Sequence, residues 1–173
     1  MSPLPFSQPE LPVAEIIPAV KKQLSTGNSV IIQAPPGAGK STLLPLSLLQ
    51  EPWLDGKKIL LLEPRRLATK SIAQRMSDLL REEVGQTVGY RIRFDTCVSS
   101  TTRLEVITEG ILTRMLHQDN ALEDVGMVIF DEFNTSEIVP DYIDPLGVWK
   151  SNTPLVTIPS SIVIIFLFSS LSE

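Results

Sequence analysis

The stretch SVIIQAPPGAGKSTLLPLSLL, residues 29–49, decides the architecture of the chain. Its first six residues form a short apolar run with β-branched side chains, which predicts a strand buried on both faces. A glycine-containing turn follows, and the leucine-rich residues after it predict a helix despite Pro45. A buried strand that passes through a glycine turn into a helix indicates an α/β fold.

The same alternation continues on both sides of this stretch. Apolar residues at helical spacing predict a helix from Val13 to Leu24, and Pro18 is expected to delay its start or bend it. Further strands are predicted at Lys58–Glu63, Val88–Ile92, Leu104–Ile107 and Met127–Phe130, and further helices at Leu67–Glu82 and Gly110–His117. The predicted fold class is therefore α/β, a mainly parallel sheet with helices on both faces.

The turn APPGAGKST, residues 34–42, has the composition of a phosphate-binding loop. Because Gly37 and Gly39 lack a Cβ, several backbone N–H groups can point at one anion. Lys40, near which the helix is expected to begin, is predicted to reach the β and γ phosphates of ATP, and the Ser41 hydroxyl to bind Mg²⁺. The usual pattern G-x-x-x-x-G-K-[ST] starts with glycine, whereas this chain has Ala34. The predicted nucleotide-binding residues are Pro36, Gly37, Ala38, Gly39, Lys40, Ser41 and Thr42.

A second chemical element is VIFDE, residues 128–132. Its buried strand is expected to bring Asp131 to the carboxyl edge of the sheet, where parallel sheets bind ligands. Asp131 is predicted to hold Mg²⁺ through its hydration shell, and Glu132 to orient or deprotonate the attacking water. An acidic pair after a strand is commonly a loop start or a helix cap, but its position downstream of a phosphate loop favours catalysis. The predicted catalytic residues are Lys40, Asp131 and Glu132.

Five motifs follow one another in a specific order. They are APPGAGKS (34–41), LLLEPRRLA (60–68), VGYRIRFD (88–95), TEGILTRML (108–116) and IFDEF (129–133). This order resembles the N-terminal RecA-like domain of a DEAH-type superfamily 2 ATP-dependent helicase, and is most similar to the bacterial HrpB-type helicases. The resemblance covers about Leu11 to Phe133. It implies a RecA-like P-loop NTPase domain at residues 13–133, while the proline-rich residues 1–12 are expected to form an extended lead-in.

The resemblance also implies contacts with the backbone of a nucleic acid. Arg65 and Arg66 would meet phosphates, and Thr108 would meet the sugar-phosphate chain. From the residues alone, the two arginines fit a solvated helix start equally well, and Thr108 fits a helix cap with Glu109 in the first turn. RNA and DNA both stay open, because they share phosphate contacts and no aromatic stacking platform is evident in the sequence.

The character of the chain changes at Asn134, where the resembled family has histidine. Of the 15 Lys and Arg residues, all but Lys150 lie before this point. Residues 134–173 are expected to be a divergent tail, either disordered or an added strand. Its apolar run Ile162–Phe168 is too short for a membrane span, which needs about 20 apolar residues, and favours a buried or aggregation-prone strand.

The resemblance carries a mechanistic expectation as well. The motors of this family bind ATP between two RecA-like domains, and the second supplies arginines that accelerate hydrolysis. The chain is expected to be truncated after Phe133, and to lack the second domain and the Ser-Ala-Thr segment that couples the two. The prediction is Mg-ATP binding with little hydrolysis, weak nucleic-acid contact and no unwinding by the isolated chain.

Composition restricts the other classes. The formal net charge is −5, so no overall positive field marks a nucleic-acid binder. The single Cys97 excludes an internal disulfide, and the N-terminus has no secretory signal, which together predict a cytoplasmic protein without a membrane anchor. A non-catalytic ATP-binding remnant or partner-binding module is the alternative function. A small-molecule phosphotransferase would need an arginine-bearing lid, which the sequence does not offer.

Overall fold

The computed structural model describes residues 11–131, 148–149, 156–157 and 163–169. The helices are α1 (Val13–Leu24), α2 (Leu43–Leu48), α3 (Arg66–Leu80) and α4 (Glu109–Gln118), and a single 3-10 turn spans Pro52–Leu54. The strands are β1 (Ser29–Ala34), β2 (Lys58–Leu62), β3 (Val88–Ile92), β4 (Asp95–Cys97), β5 (Leu104–Ile107), β6 (Val125–Phe130), β7 (Val148–Trp149), β8 (Val156–Thr157) and β9 (Val163–Ser169).

Seven of these strands form one sheet, in the order β1-β9-β6-β2-β5-β3-β4. All neighbours run parallel except β3 and β4, which form an antiparallel hairpin at one edge. Strands β7 and β8 pair with each other in a separate antiparallel ribbon. Because six strands run in the same direction, their carboxyl ends meet at one edge of the sheet, called the carboxyl edge below.

Helices cover both faces of the sheet. Buried side chains of α1, α2 and α3 pack with Ile59 and Leu61 of β2 on one face. The alternate residues Leu60 and Leu62 pack with α4 on the other face. Successive residues of a strand point to opposite faces, so a strand that is apolar throughout meets a core on each side. The predicted fold class is confirmed: a mainly parallel sheet with helices on both faces.

Helices α3 and α4 each begin one residue before the predicted start, and two expectations about the starts of the other helices are not met. The helix expected near Lys40 begins at Leu43, because Lys40 to Thr42 form turns and Thr42 has non-helical φ −124° and ψ −68°. Helix α1 begins at Val13 and continues through Pro18, so the late start expected from that proline is not observed. The opposite side of α1 is buried through Val13, Ile17, Val20 and Leu24, and this packing holds the helix across the proline.

Part of the divergent tail forms a strand inside the sheet. Strand β9 lies between β1 and β6, and the side chain of Ile165 is fully buried. The lead-in at residues 1–10 and most of residues 132–162 lie outside the described residues. Among the described residues, none of the helices has the length and apolar character needed to cross a membrane.

Candidate functional site

The loop between β1 and α2 turns on two glycines in the left-handed region of backbone space. Gly37 has φ +75° and Gly39 has φ +90°. A side chain in this conformation is strained, so glycine allows the loop to curl back over the end of β1. Pro36 and Gly37 are exposed, whereas Ala38 between the two glycines is buried. The curled backbone expected from the sequence is present.

Lys40 folds back into this loop. Its Nζ donates to the carbonyl oxygens of Ala34 at 2.7 Å and Pro35 at 2.9 Å, and the residue is only 6% exposed. The ammonium therefore lies at the carboxyl end of β1, on the inner side of the loop. An anion brought into the loop would meet this charge, and the hydrogen bonds to the two carbonyls are the contacts that it would have to replace.

Ser41 and Thr42 follow in turns before α2. Both are half-buried, and the carbonyl of Gly39 accepts the N–H groups of Thr42, Leu43 and Leu44 at 3.3, 2.9 and 3.3 Å. Helix α2 is six residues long and starts three residues later than predicted, so its first turn lies farther from Lys40 than the sequence indicated.

Asp131 follows β6 at the carboxyl edge. Its N–H donates to the Leu62 carbonyl at 2.9 Å, which extends the pairing of β6 and β2 by one residue, and the residue is 5% exposed. Only β9 separates β6 from β1, a spacing of about 10 Å between the two outer strands. The sheet thus puts Asp131 on the same edge as the loop. Glu132 lies outside the described residues.

A carboxylate and a hydroxyl are oxygen donors of the kind that Mg²⁺ prefers. Asp131 and Ser41 supply these two donors at the carboxyl edge. The residues present therefore fit the predicted ion, with the remaining positions left to water and phosphate oxygens.

Glu63 is a further buried carboxylate at the carboxyl edge, and the sequence pattern did not single it out. It lies at the end of β2 beside Asp131, and its N–H donates to the Ile107 carbonyl at 2.9 Å. Its buried carboxylate accepts two hydrogen bonds from Arg65 on one oxygen, from the backbone N–H at 3.0 Å and from Nε at 3.3 Å. The signal in the sequence was an acidic residue directly after the apolar run at residues 59–62.

The predicted nucleic-acid residues lie farther along the same edge. Arg65 is the N-cap residue of α3 and its side chain is 63% exposed, while Arg66 opens the helix and is also exposed. Thr108 occupies the N-cap position of α4, and its carbonyl accepts the N–H of Ile111 at 2.9 Å. Its hydroxyl makes no capping hydrogen bond in the described part of the chain, so the expected cap is formed by the backbone alone.

The β3–β4 hairpin adds an aromatic ring to this edge. Phe94 sits in the turn with φ +69° and is 90% exposed, and the Arg93 guanidinium lies 4.7 Å from its ring centroid. Leu67, near the start of α3, is 84% exposed. The sequence showed no stacking platform, because only the turn between β3 and β4 pushes Phe94 into solvent.

An ion pair fastens this hairpin to α3. Lys70 Nζ lies 2.5 Å from Asp95 Oδ2, and the Tyr90 hydroxyl lies 3.2 Å from the same oxygen. The hydrogen bond from Lys70 lowers the pKa of Asp95, and the hydrogen bond to Asp95 raises the pKa of Lys70. Both groups stay charged across the neutral range, so the hairpin keeps its anchor there.

Comparison with known proteins gives a consistent picture. A sequence model of the family described as DEAD/DEAH box helicase matches residues 14–140. The ATP-dependent RNA helicase HrpB of Escherichia coli (strain K12) is 53% identical over 131 residues, which cover 76% of this chain and 16% of that protein. The ATP-dependent RNA helicase HrpA of Borreliella burgdorferi is 33% identical over 141 residues, which cover 82% of this chain and 17% of that protein.

Solved structures agree with the sequence comparison. A crystal structure of the Escherichia coli DEAH/RHA helicase HrpB superposes with a TM-score of 0.76 at 41% sequence identity, covering 95% of this chain and 20% of that one. A second crystal structure of the same protein, described as a DExH-box NTPase, gives a TM-score of 0.77 at 40% identity. The chain thus spans less than a quarter of the length of each of these relatives.

Proposed function

This chain belongs to the DEAD/DEAH box helicase family, and from that premise we propose that it is the ATP-binding first motor domain of an ATP-dependent RNA helicase. The observation that carries the proposal is the meeting of two elements at one edge of the sheet. The curled loop with Lys40 follows β1, and Asp131 follows β6, with a single strand between them. Such an arrangement suits a nucleoside triphosphate with its divalent ion.

Each residue at the nucleotide end of the edge has a distinct task. The N–H groups of residues 37–42 bind the phosphate chain, and Lys40 exchanges its carbonyl partners for β and γ phosphate oxygens. Ser41 and Asp131 hold Mg²⁺, directly and through water respectively; when bound, this ion neutralises charge that builds up on the phosphates. Glu132 orients the attacking water and accepts its proton.

The other end of the edge suits a nucleic-acid strand. Exposed Arg65 and Arg66 offer cations to phosphates, and Thr108 keeps a hydroxyl that its helix does not use for capping. The exposed ring of Phe94 offers a surface on which a base can stack. RNA is the proposed substrate, since the relatives named above are RNA helicases.

For a polypeptide of these 173 residues, we expect ATP binding to be readily measurable and ATP hydrolysis to be slow. The arginines that stabilise the transferring phosphoryl group in this family come from a second RecA-like domain, and such a residue is worth on the order of 10³ to 10⁵ in rate. Unwinding by these residues alone is therefore not expected.

A titration with a fluorescent ATP analogue tests this proposal. The unchanged chain should bind the analogue in a saturable, Mg²⁺-dependent manner, and Lys40→Ala should weaken binding by more than about ten-fold. Lys22→Ala is the matched control, because Lys22 is exposed on α1 and should leave affinity unchanged. Saturable binding that survives Lys40→Ala would refute the assigned site. Measurable turnover that single-stranded RNA stimulates would favour the motor over a non-catalytic remnant.

A further inference from the structure

The segment Leu11–Val13, at the start of α1, contacts the phosphate loop on the side away from Lys40. Val13 is the first residue of α1, and its N–H donates to the Ala38 carbonyl at 3.0 Å. Both residues are only 1% exposed. Because Ala38 lies between the two glycines with positive φ, this hydrogen bond fixes the crest of the loop against the start of α1.

Side chains from the same segment touch the second glycine of the loop. A Cβ added to Gly39 would lie 2.7 Å from Leu11 Cδ1 and 3.1 Å from Val13 Cγ1. Leu11 is partly buried against the core that also contains α1. The segment therefore packs directly on the backbone of Gly39, whose carbonyl receives the N–H groups at the start of α2.

The loop is thus held from two sides. Lys40 binds its inner carbonyls, and Leu11 with Val13 packs on its crest. The sequence pattern placed Leu11 in an extended lead-in, and the family match begins at residue 14, so neither assigns a role to this contact.

We propose that Leu11 and Val13 are positioning residues for nucleotide binding. They hold Ala38 and Gly39 in the conformation in which the N–H groups of the loop converge on a phosphate. A loop fixed before binding loses less conformational freedom when the ligand arrives, so it binds more tightly than one that must be ordered. This inference rests on the proposed function, because it concerns the same nucleotide site.

A matched pair of leucines separates positioning from stability. Leu24 lies at the opposite end of α1, is 4% exposed and packs in the same core as Leu11. Leu24→Ala removes the same atoms as Leu11→Ala, at a distance from the loop. Leu11→Met restores the volume and serves as the conservative rescue.

The experiment measures three quantities on the full chain at a temperature at which every variant is folded. They are the affinity for a fluorescent ATP analogue with Mg²⁺, the midpoint of thermal unfolding, and the hydrogen exchange of the Val13 amide. Leu11→Ala should weaken nucleotide affinity about three- to ten-fold and speed exchange at Val13. Leu24→Ala should lower the unfolding midpoint at least as much, yet keep affinity within two-fold. Leu11→Met should recover affinity.

Two outcomes would overturn the inference while leaving the proposed function intact. In the first, the unchanged chain binds nucleotide and Leu11→Ala binds it equally well. In the second, both alanine variants lose affinity in proportion to their lowered unfolding midpoints. If the unchanged chain binds no nucleotide, the proposed function fails and the positioning role fails with it.

Discussion

At the scale of single residues, two glycines of the phosphate loop make different demands. Gly37 and Gly39 both have positive φ, but a Cβ on Gly37 would meet nothing within 4 Å, whereas one on Gly39 would press on Leu11 and Val13. Gly37→Ala should lower the free energy of unfolding by about 1 kcal/mol, from backbone strain alone. Gly39→Ala should lower it by about 2 kcal/mol or more, because overpacking is added to strain.

Urea unfolding of both variants measures this difference, and Gly37→Ala is the internal control for backbone strain. Equal losses at the two positions would contradict the close contact of Leu11 with the loop. A larger loss at Gly37 would contradict the backbone conformation as well.

The sequence could predict which residues lie after β1 and β6 at the carboxyl edge, but not the hydrogen-bond partners of their side chains. Lys40 and Asp131 can be recognised in the sequence because each lies a short distance after a predicted strand, and Lys40 also follows two glycines. The hydrogen bonds of Lys40 to loop carbonyls, and of Arg65 to Glu63, depend on how the backbone turns after each strand. Phe94 is similar, because an apolar residue in a short turn is exposed only by the geometry of the hairpin.

At the scale of elements, a buried carboxylate and two partly exposed cations join three neighbouring strands. Glu105 of β5 is 1% exposed, and its carboxylate accepts hydrogen bonds from Arg91 of β3 at 2.5 Å and from Lys58 of β2 at 3.1 Å. Burial raises the pKa of Glu105, but the hydrogen bonds and charges of Arg91 and Lys58 outweigh it and leave the pKa below its ordinary value of 4.5.

Glu105→Gln should destabilise the chain by about 2 kcal/mol at pH 7, because it removes the charge that satisfies two cations. Since the pKa of Glu105 is lower in the folded state, its contribution is complete above pH 4.5 and is lost as the pH falls through the lowered value. The difference in the free energy of unfolding between the unchanged chain and Glu105→Gln should therefore become smaller below pH 4.5. Denaturant unfolding at pH 7 and below pH 4.5 measures this gap.

Glu83→Gln provides the control for this experiment, since Glu83 is exposed and its side chain has no hydrogen bond or ion pair among the described residues. It should change stability by less than about 0.5 kcal/mol at either pH. A gap for Glu105→Gln that stays constant, or widens, on acidification would contradict the assigned direction of the pKa.

Strands in which apolar side chains recur were predictable, and a strand without such a pattern was not. The predicted bounds of β1, β3 and β5 match the structure, because large apolar residues alternate or cluster within each of these segments. Strand β4 has three residues and no alternation of its own, and it forms only by pairing with β3. The start of α2 was misplaced because the lysine and hydroxyl residues that open it by composition are held in turns.

At the scale of the whole molecule, the order of strands differs from their order along the chain. Strand β9 comes last in sequence, yet it lies between β1, which carries the phosphate loop, and β6, which delivers Asp131. Its register pairs Ile31 with Phe166 and Phe166 with Phe130, so it aligns the two strands that carry the proposed nucleotide site. A local pattern cannot reveal such an insertion, because it fixes the type of an element and not its neighbours.

The position of β9 makes the proposed nucleotide site depend on a residue far from it in sequence. Ile165 is fully buried, and β1 has no other partner strand in the described part of the sheet. Ile165→Asp would bury a carboxylate without an opposite charge, which costs several kcal/mol and should expel β9 from the sheet. With β9 lost, β1 loses its only ladder, and affinity for Mg-ATP should fall by more than ten-fold. Hydrogen exchange of the β1 amides, followed with nucleotide titration, measures both effects.

Ile165→Val is the matched control, with an expected cost of about 1 kcal/mol and near-normal affinity. Persistent protection of β1 in Ile165→Asp would mean that β1 is held by other contacts, and that β9 does not join the two halves of the site.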